Sequence, residues 1–125
     1  MPELLAASDV VSLHCPLTPE THHLVNAAAL ALMKPSAFLI NASRGPVVDE
    51  GALIAALQAG TIAGAALDVF EFEPRVSEQL LGLDNVFLSA HMGSATRAAR
   101  TAMTEVLVRQ IELHAAGRAP DHLVG

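Results

Sequence analysis

The stretch Ala37-Phe38-Leu39-Ile40-Asn41-Ala42-Ser43-Arg44-Gly45-Pro46-Val47-Val48-Asp49-Glu50 decides the fold. Four apolar residues without a polar break read as a buried strand. Polar and glycine residues then end the run, and Asp49 opens a helical pattern in which Leu53, Ile54 and Leu57 share a face. Gly60 lies where a helix C-terminal glycine belongs. A strand passing through a short loop into a helix is the unit of a parallel sheet, and Arg44 sits in that loop. Ligands collect at the carboxyl ends of strands in open parallel sheets. An arginine there offers a planar fork of donors that matches a carboxylate. Taken alone, Arg44 reads better as a loop arginine that only caps a carbonyl or pairs with Glu50; the placements further along the chain change that.

The pattern repeats on both sides. Asp9 to Leu13 is a first apolar run, ending at His14-Cys15-Pro16-Leu17-Thr18-Pro19, where two prolines forbid regular structure. Asn26 caps a short helix predicted to reach Met33, with Pro35 stopping it. Ile62 to Val69 is a third run, made slim by Gly64 and its alanines, and it leads to Asp68 and Phe70-Glu71-Phe72-Glu73-Pro74. Asn85 to Ser89 is a fourth, ending at Ala90-His91-Met92-Gly93-Ser94. A long helix is expected over 94–117, with Ala95, Ala99, Ala102, Met103, Val106 and Leu107 as its apolar stripe and Gly117 at its end; the tail to Gly125 reads as loose. Strands alternating with helices give an α/β parallel sheet. No internal repeat, linker or domain boundary is legible, and Pro74 to Asp84 is the widest gap between elements.

The bulk numbers narrow the function classes. The chain has 125 residues, 52% of them apolar, which is enough for one domain with a core. Thirteen acidic residues face seven basic ones, without Trp or Tyr, which argues against nucleic-acid binding. No apolar run approaches the ~18 residues of a membrane span, and the first residues do not read as a signal peptide. The single Cys15 cannot form an internal disulfide, which fits a reducing compartment, and cytoplasmic localisation is expected. Adjacent His22 and His23 are poor metal-ligand spacing and read as surface residues; no metal site is expected. His114 and His122 carry no assigned role.

Chemistry gathers at the strand ends: His14 and Cys15, then Arg44, then Asp68 and Glu73, then His91. A histidine moves protons near neutral pH, a carboxylate on its other nitrogen fixes its tautomer, and an arginine holds an anionic substrate. Each also has a plainer reading. His91 alone is a satisfied strand-end histidine, Glu73 a solvated loop glutamate, Asp68 a turn former and Cys15 a small packing residue. The Gly93-Ser94 pair before a helix is weak evidence of a phosphate cradle.

Four stretches in order and spacing carry a closer resemblance: Asp9 to Thr18, Asn41 to Leu53, Ala65 to Pro74 and His91 to Thr96. Through them the chain resembles the D-isomer-specific 2-hydroxyacid dehydrogenase family over nearly its whole length. The resemblance implies an NAD(P)-dependent oxidoreductase interconverting 2-keto acids and D-2-hydroxy acids, of glyoxylate or hydroxypyruvate reductase type. It implies catalytic roles for Arg44, Glu73 and His91: Arg44 on the substrate carboxylate and carbonyl, His91 as acid/base, and Glu73 rather than Glu71 holding the imidazole. It implies a cofactor lining of Cys15, Ala42, Arg44, Asp68, His91, Gly93 and Ser94, with NAD or NADP as cofactor. The partners it implies are a small 2-keto or 2-hydroxy acid and, in a full-length protein, a second copy in a homodimer, with neither nucleic acid nor membrane. Some relatives are NAD-responsive corepressors, so a non-catalytic binding module or an inactive truncated fragment is the alternative.

There are departures from the pattern. Ala90 stands where the family usually has a proline, which loosens the turn before His91. A G-x-G-x-x-G turn and the acidic residue about 20 residues after it are absent from this sequence. The expected fold is therefore a partial doubly wound sheet, a Rossmann-like NAD(P)-binding domain over 1–125 without its first two strands. In the order 3-2-1-4-5-6, the run at Asp9 to Leu13, read as the third strand, is parted from the others. It is then left to pair beside Ala37 to Ile40 or to stay an exposed edge, and the isolated chain is expected to be marginally stable and inactive.

Overall fold

A computed structural model describes residues 1–121; His122 and the end of the tail lie outside the described residues. The elements run α1 (Pro2–Ala7), β1 (Val10–Leu13), α2 (Ala27–Leu30), β2 (Phe38–Asn41), a single 3-10 turn (Gly45–Val47), α3 (Glu50–Gln58), β3 (Gly64–Leu67), α4 (Glu78–Leu81), β4 (Val86–Leu88) and α5 (Arg97–Ala115). Residues 1–91 and 92–125 form two compact units.

In the first unit all four strands are parallel, in the order β1-β2-β3-β4. Val10 pairs with Phe38 and Leu13 with Asn41, so β1 lies directly beside β2 along its whole length. Of the two placements left open for this strand, pairing beside Ala37 to Ile40 is the one formed: the four strands are consecutive neighbours, and β1 has a full ladder on one side.

Register assigns the two faces. Val11, Leu13, Leu39, Asn41, Ala65 and Leu67 share one face and are buried, in a core completed by Leu30, Val47, Leu53, Leu57, Ile62 and Leu80. Val10, Ser12, Phe38, Ile40, Ala66 and Phe87 share the other, where Val10, Phe38 and Phe87 are exposed at 55%, 49% and 68%. Parallel sheets ordinarily carry helices on both faces, and within this unit the helices cover one.

The caps are those expected. Asn26 Oδ1 accepts from the N–H groups of Ala28 and Ala29, and Asp49 Oδ1 from that of Ala52 at 2.9 Å. Gly60, at φ +66°, follows α3 in the left-handed conformation that a helix C-terminus favours. The helix predicted to reach Met33 ends at Leu30 and continues as turns. The gap before Asp84 contains the short α4, capped by Ser77 and missed because its apolar pattern is too brief for periodicity. In the second unit Thr96 caps α5 and Gly117, at φ +69°, follows its end. Met103, Val106 and Leu107 of the predicted stripe are exposed, and Leu113 is the buried residue of the helix. No described helix is long and apolar enough to cross a membrane.

Candidate active site

The carboxyl ends of the four strands lie along one edge of the sheet, and each turns there into a polar loop. Asn41, the last residue of β2, is 1% exposed and organises the first of these loops. Its Oδ1 accepts from the N–H and hydroxyl of Ser43, while its Nδ2 donates to the Arg44 carbonyl at 3.0 Å. A buried amide satisfied in this way fixes the turn. Arg44 itself is exposed. Its Nη1 donates to the Ser43 carbonyl at 2.7 Å, and the pairing with Glu50 considered from the sequence is not formed, because Glu50 is engaged elsewhere.

Backbone bonds carry this order across the edge. The Asn41 carbonyl accepts from the Asp68 N–H, and the Asp68 carbonyl accepts from the His91 N–H, each at 2.9 Å. The Asp68 carboxylate accepts a short hydrogen bond from the Ser89 hydroxyl. Neither Asn41 nor Ser89 was singled out from the sequence, although a polar residue closing an apolar strand is the signal both give.

Glu73 and His91 face each other, with His91 Nδ1 3.0 Å from Glu73 Oε2. The other carboxylate oxygen of Glu73 accepts from the Phe70 N–H at 3.0 Å. Partial burial pushes the Glu73 carboxyl upward, but the Phe70 N–H, the bond to His91 and the charges of His91 and Arg44 outweigh it, and the group is held below the ordinary glutamate range. Arg44 thus lies within electrostatic reach of the pair. His91 adopts φ +52°, a left-handed conformation uncommon outside glycine. Ala90 leaves the turn without a proline, yet His91 is tied twice, by its backbone to Asp68 and by its ring to Glu73.

The remaining expected site residues divide by position. Cys15 and Ala42 line an open groove of about 490 Å³ with His14, Pro16, Leu17, Ser43 and Arg44. Gly93 and Ser94 belong to the second unit, in the turn that leads to α5. Among the described residues, no group of three or more His, Cys, Asp or Glu is placed to hold a metal ion.

An edge with an arginine, a histidine–carboxylate pair and a groove between the first two strand ends can bind an anion and move a proton beside it. The family profile for "D-isomer specific 2-hydroxyacid dehydrogenase, NAD binding domain" matches residues 1–93. The chain belongs to the D-isomer specific 2-hydroxyacid dehydrogenase family. Its four-stranded sheet is the Rossmann-like sheet of that family's NAD-binding domain.

Among these dehydrogenases, the glyoxylate reductase of Thermococcus litoralis is 54% identical over 121 residues, covering 97% of this chain and 37% of that protein. The NADPH-dependent glyoxylate/hydroxypyruvate reductase of Sinorhizobium meliloti, solved with NADP and malonate, superposes with a TM-score of 0.87 at 45% identity, covering 90% of this chain and 35% of that one. The D-isomer specific 2-hydroxyacid dehydrogenase of Lactobacillus delbrueckii ssp. bulgaricus, in its NAD-complexed form, gives 0.88 at 33% identity, covering 99% and 42%. The chain therefore spans little more than a third of the length of the curated relatives it matches.

Proposed function

We propose that this chain is part of the cofactor domain of an NAD(P)-dependent enzyme that interconverts small 2-keto acids and D-2-hydroxy acids, with glyoxylate or hydroxypyruvate reduction as its chemistry. One observation carries the reading: His91 Nδ1 lies 3.0 Å from Glu73 Oε2, beside Arg44, at the strand ends of a family dinucleotide fold. The relatives named glyoxylate reductase support the substrate class. The structures holding NAD or NADP support either cofactor.

The groove residues fit one end of a dinucleotide. Cys15 and Ala42 are small, and the strand-end backbone around them is open. The glycine-rich turn that cradles a pyrophosphate is absent from this sequence, so that part of the site belongs to other residues. Cys15, Ala42, Arg44, Asp68 and His91 would line the bound cofactor, which supplies a hydride when present.

The chain's own residues do the rest. The Arg44 guanidinium binds the substrate carboxylate and draws charge from its carbonyl oxygen. His91 donates Nδ1–H to Glu73, which leaves Nε2 to hand a proton to that oxygen and to take it back in the reverse reaction. Glu73 acts through His91, holding the ring in orientation through the Nδ1 contact. Full-length proteins of this kind are proposed to act as homodimers in the cytoplasm.

The test is steady-state reduction of glyoxylate and hydroxypyruvate by the full-length protein with NADH and with NADPH. His91→Asn is expected to lower kcat by about 10²–10⁴-fold with little change in cofactor affinity. Unchanged turnover would remove His91 from its role.

A further inference from the structure

A second histidine–glutamate pair stands behind the Arg44 turn. His23 Nε2 lies 2.7 Å from Glu71 Oε1, across 48 residues of sequence. His23 is half-buried rather than a free surface residue, and its φ is +50°. Among the described residues, His23 and His91 are the two non-glycine positions with positive φ, and each pairs with a glutamate of the same short loop. Such conformations cost on the order of 1–3 kcal/mol and persist where the surroundings enforce them, often at functional sites.

Glu71 has a further attachment. Its Oε2 accepts from the Glu50 N–H at 3.0 Å, and the buried Glu50 returns the bond, its Oε2 accepting from the Glu71 N–H at 3.1 Å. On the other side, the His23 N–H donates to the Pro46 carbonyl, the Val25 N–H to the Val47 carbonyl and the Asp49 N–H to the Val25 carbonyl. The turn between Arg44 and Asp49 is thus gripped along both flanks. Between turn and loop there is no side chain at all: a Cβ on Gly45 would lie 1.9 Å from the Phe70 carbonyl oxygen. The backbone after Arg44 rests directly on the Phe70–Glu71 peptide.

We propose that Glu71, with Glu50 and His23, is a positioning residue that locks the Arg44 turn to the loop holding Glu73. The two glutamates of that loop divide the work, Glu73 aiming His91 and Glu71 fixing the turn from which Arg44 projects. The separation between the anion-binding group and the proton-transfer group is then set by one four-residue segment, Phe70 to Glu73. A displacement of about 1 Å in such a pair can cost on the order of 10²-fold in rate. The proposal rests on reading Arg44 as the group that binds the substrate carboxylate.

The experiment compares Glu71→Gln, His23→Ala and His23→Gln in the full-length protein, the last restoring an N–H donor of similar reach. In Glu71→Gln and His23→Ala, amide hydrogen exchange at Val47, Val48 and Glu50 is expected to quicken about tenfold or more, as local opening becomes easier. His23→Gln is expected to recover much of the protection. The KM for the keto acid is expected to rise about tenfold in Glu71→Gln while NADH affinity stays within about twofold, because of the groove residues only Arg44 adjoins the gripped turn, and Cys15, Pro16, Leu17 and Ala42 lie outside it. Unchanged exchange at those three amides would overturn the proposal. So would a parallel loss of kcat, keto-acid KM, NADH affinity and melting temperature, which marks general destabilisation. If the wild-type protein reduces no 2-keto acid, the assignment of Arg44 falls separately, and amide exchange alone decides the lock.

Discussion

Glu73 divides its two oxygens between a backbone N–H and an imidazole, and that division has a pH signature. Its native pKa lies below the ordinary value of about 4.3, so its contribution to stability is fully present above that value. The contribution is lost as pH falls through the native pKa. Because the pair is partly solvated, the contribution is small, below about 1 kcal/mol. Urea unfolding of the wild type and Glu73→Gln is expected to favour the wild type at neutral pH and to converge as pH falls through the native pKa, below the ordinary glutamate value; a gap that widens toward acid would contradict this. Arg44 and His91 were legible in the sequence because each stands where an apolar run breaks into polar residues, whereas Glu73 was told from Glu71 only by the resemblance, through the proline after it. His23 was not, because its partner lies 48 residues away and adjacent histidines resemble a solvated surface. Asn41 was passed over as the first polar residue after the strand, although its burial and three hydrogen bonds make it the residue that shapes the Arg44 turn.

At the scale of elements, α3 shows how local and tertiary signals agree. Asp49 caps it, while Leu53, Ile54 and Leu57 bury one face. Asp49→Ala is expected to cost about 1 kcal/mol, read as a lowered melting temperature. Gly45→Ala is expected to cost about 3 kcal/mol or more, because the new Cβ meets backbone that has no side chain to move aside. Chemical denaturation of the variant measures it, and wild-type stability would show that the turn and the Phe70 loop part easily. The existence and order of strands and helices were readable from periodicity and caps. Lengths were less so: α2 ends at Leu30, and Met33 is buried from the turns that follow rather than from the helix. The family order left β1 either beside β2 or as an exposed edge, and hydrogen bonding sets it beside β2, since a strand with a buried face pairs with the neighbour that continues that face.

At the scale of the molecule, the strand-end edge and the bare sheet face belong to the same four strands. The edge carries Arg44, Asp68 and His91, while the pyrophosphate-binding turn of a dinucleotide site is not encoded in this sequence. The isolated 125-residue chain is therefore expected to bind NADH more weakly than micromolar. A fluorescence titration of NADH checks this, and micromolar affinity would show that the strand-end groove suffices. Val10, Phe38 and Phe87 line the bare face with exposed apolar side chains. Synthesised in a cell with that face uncovered, the chain would present the kind of surface that folding helpers and degradative enzymes inspect. How many copies are present at a given moment would then be governed by the rate of clearance, so abundance would report on the covering of Phe38 and Phe87 before any catalytic assay did.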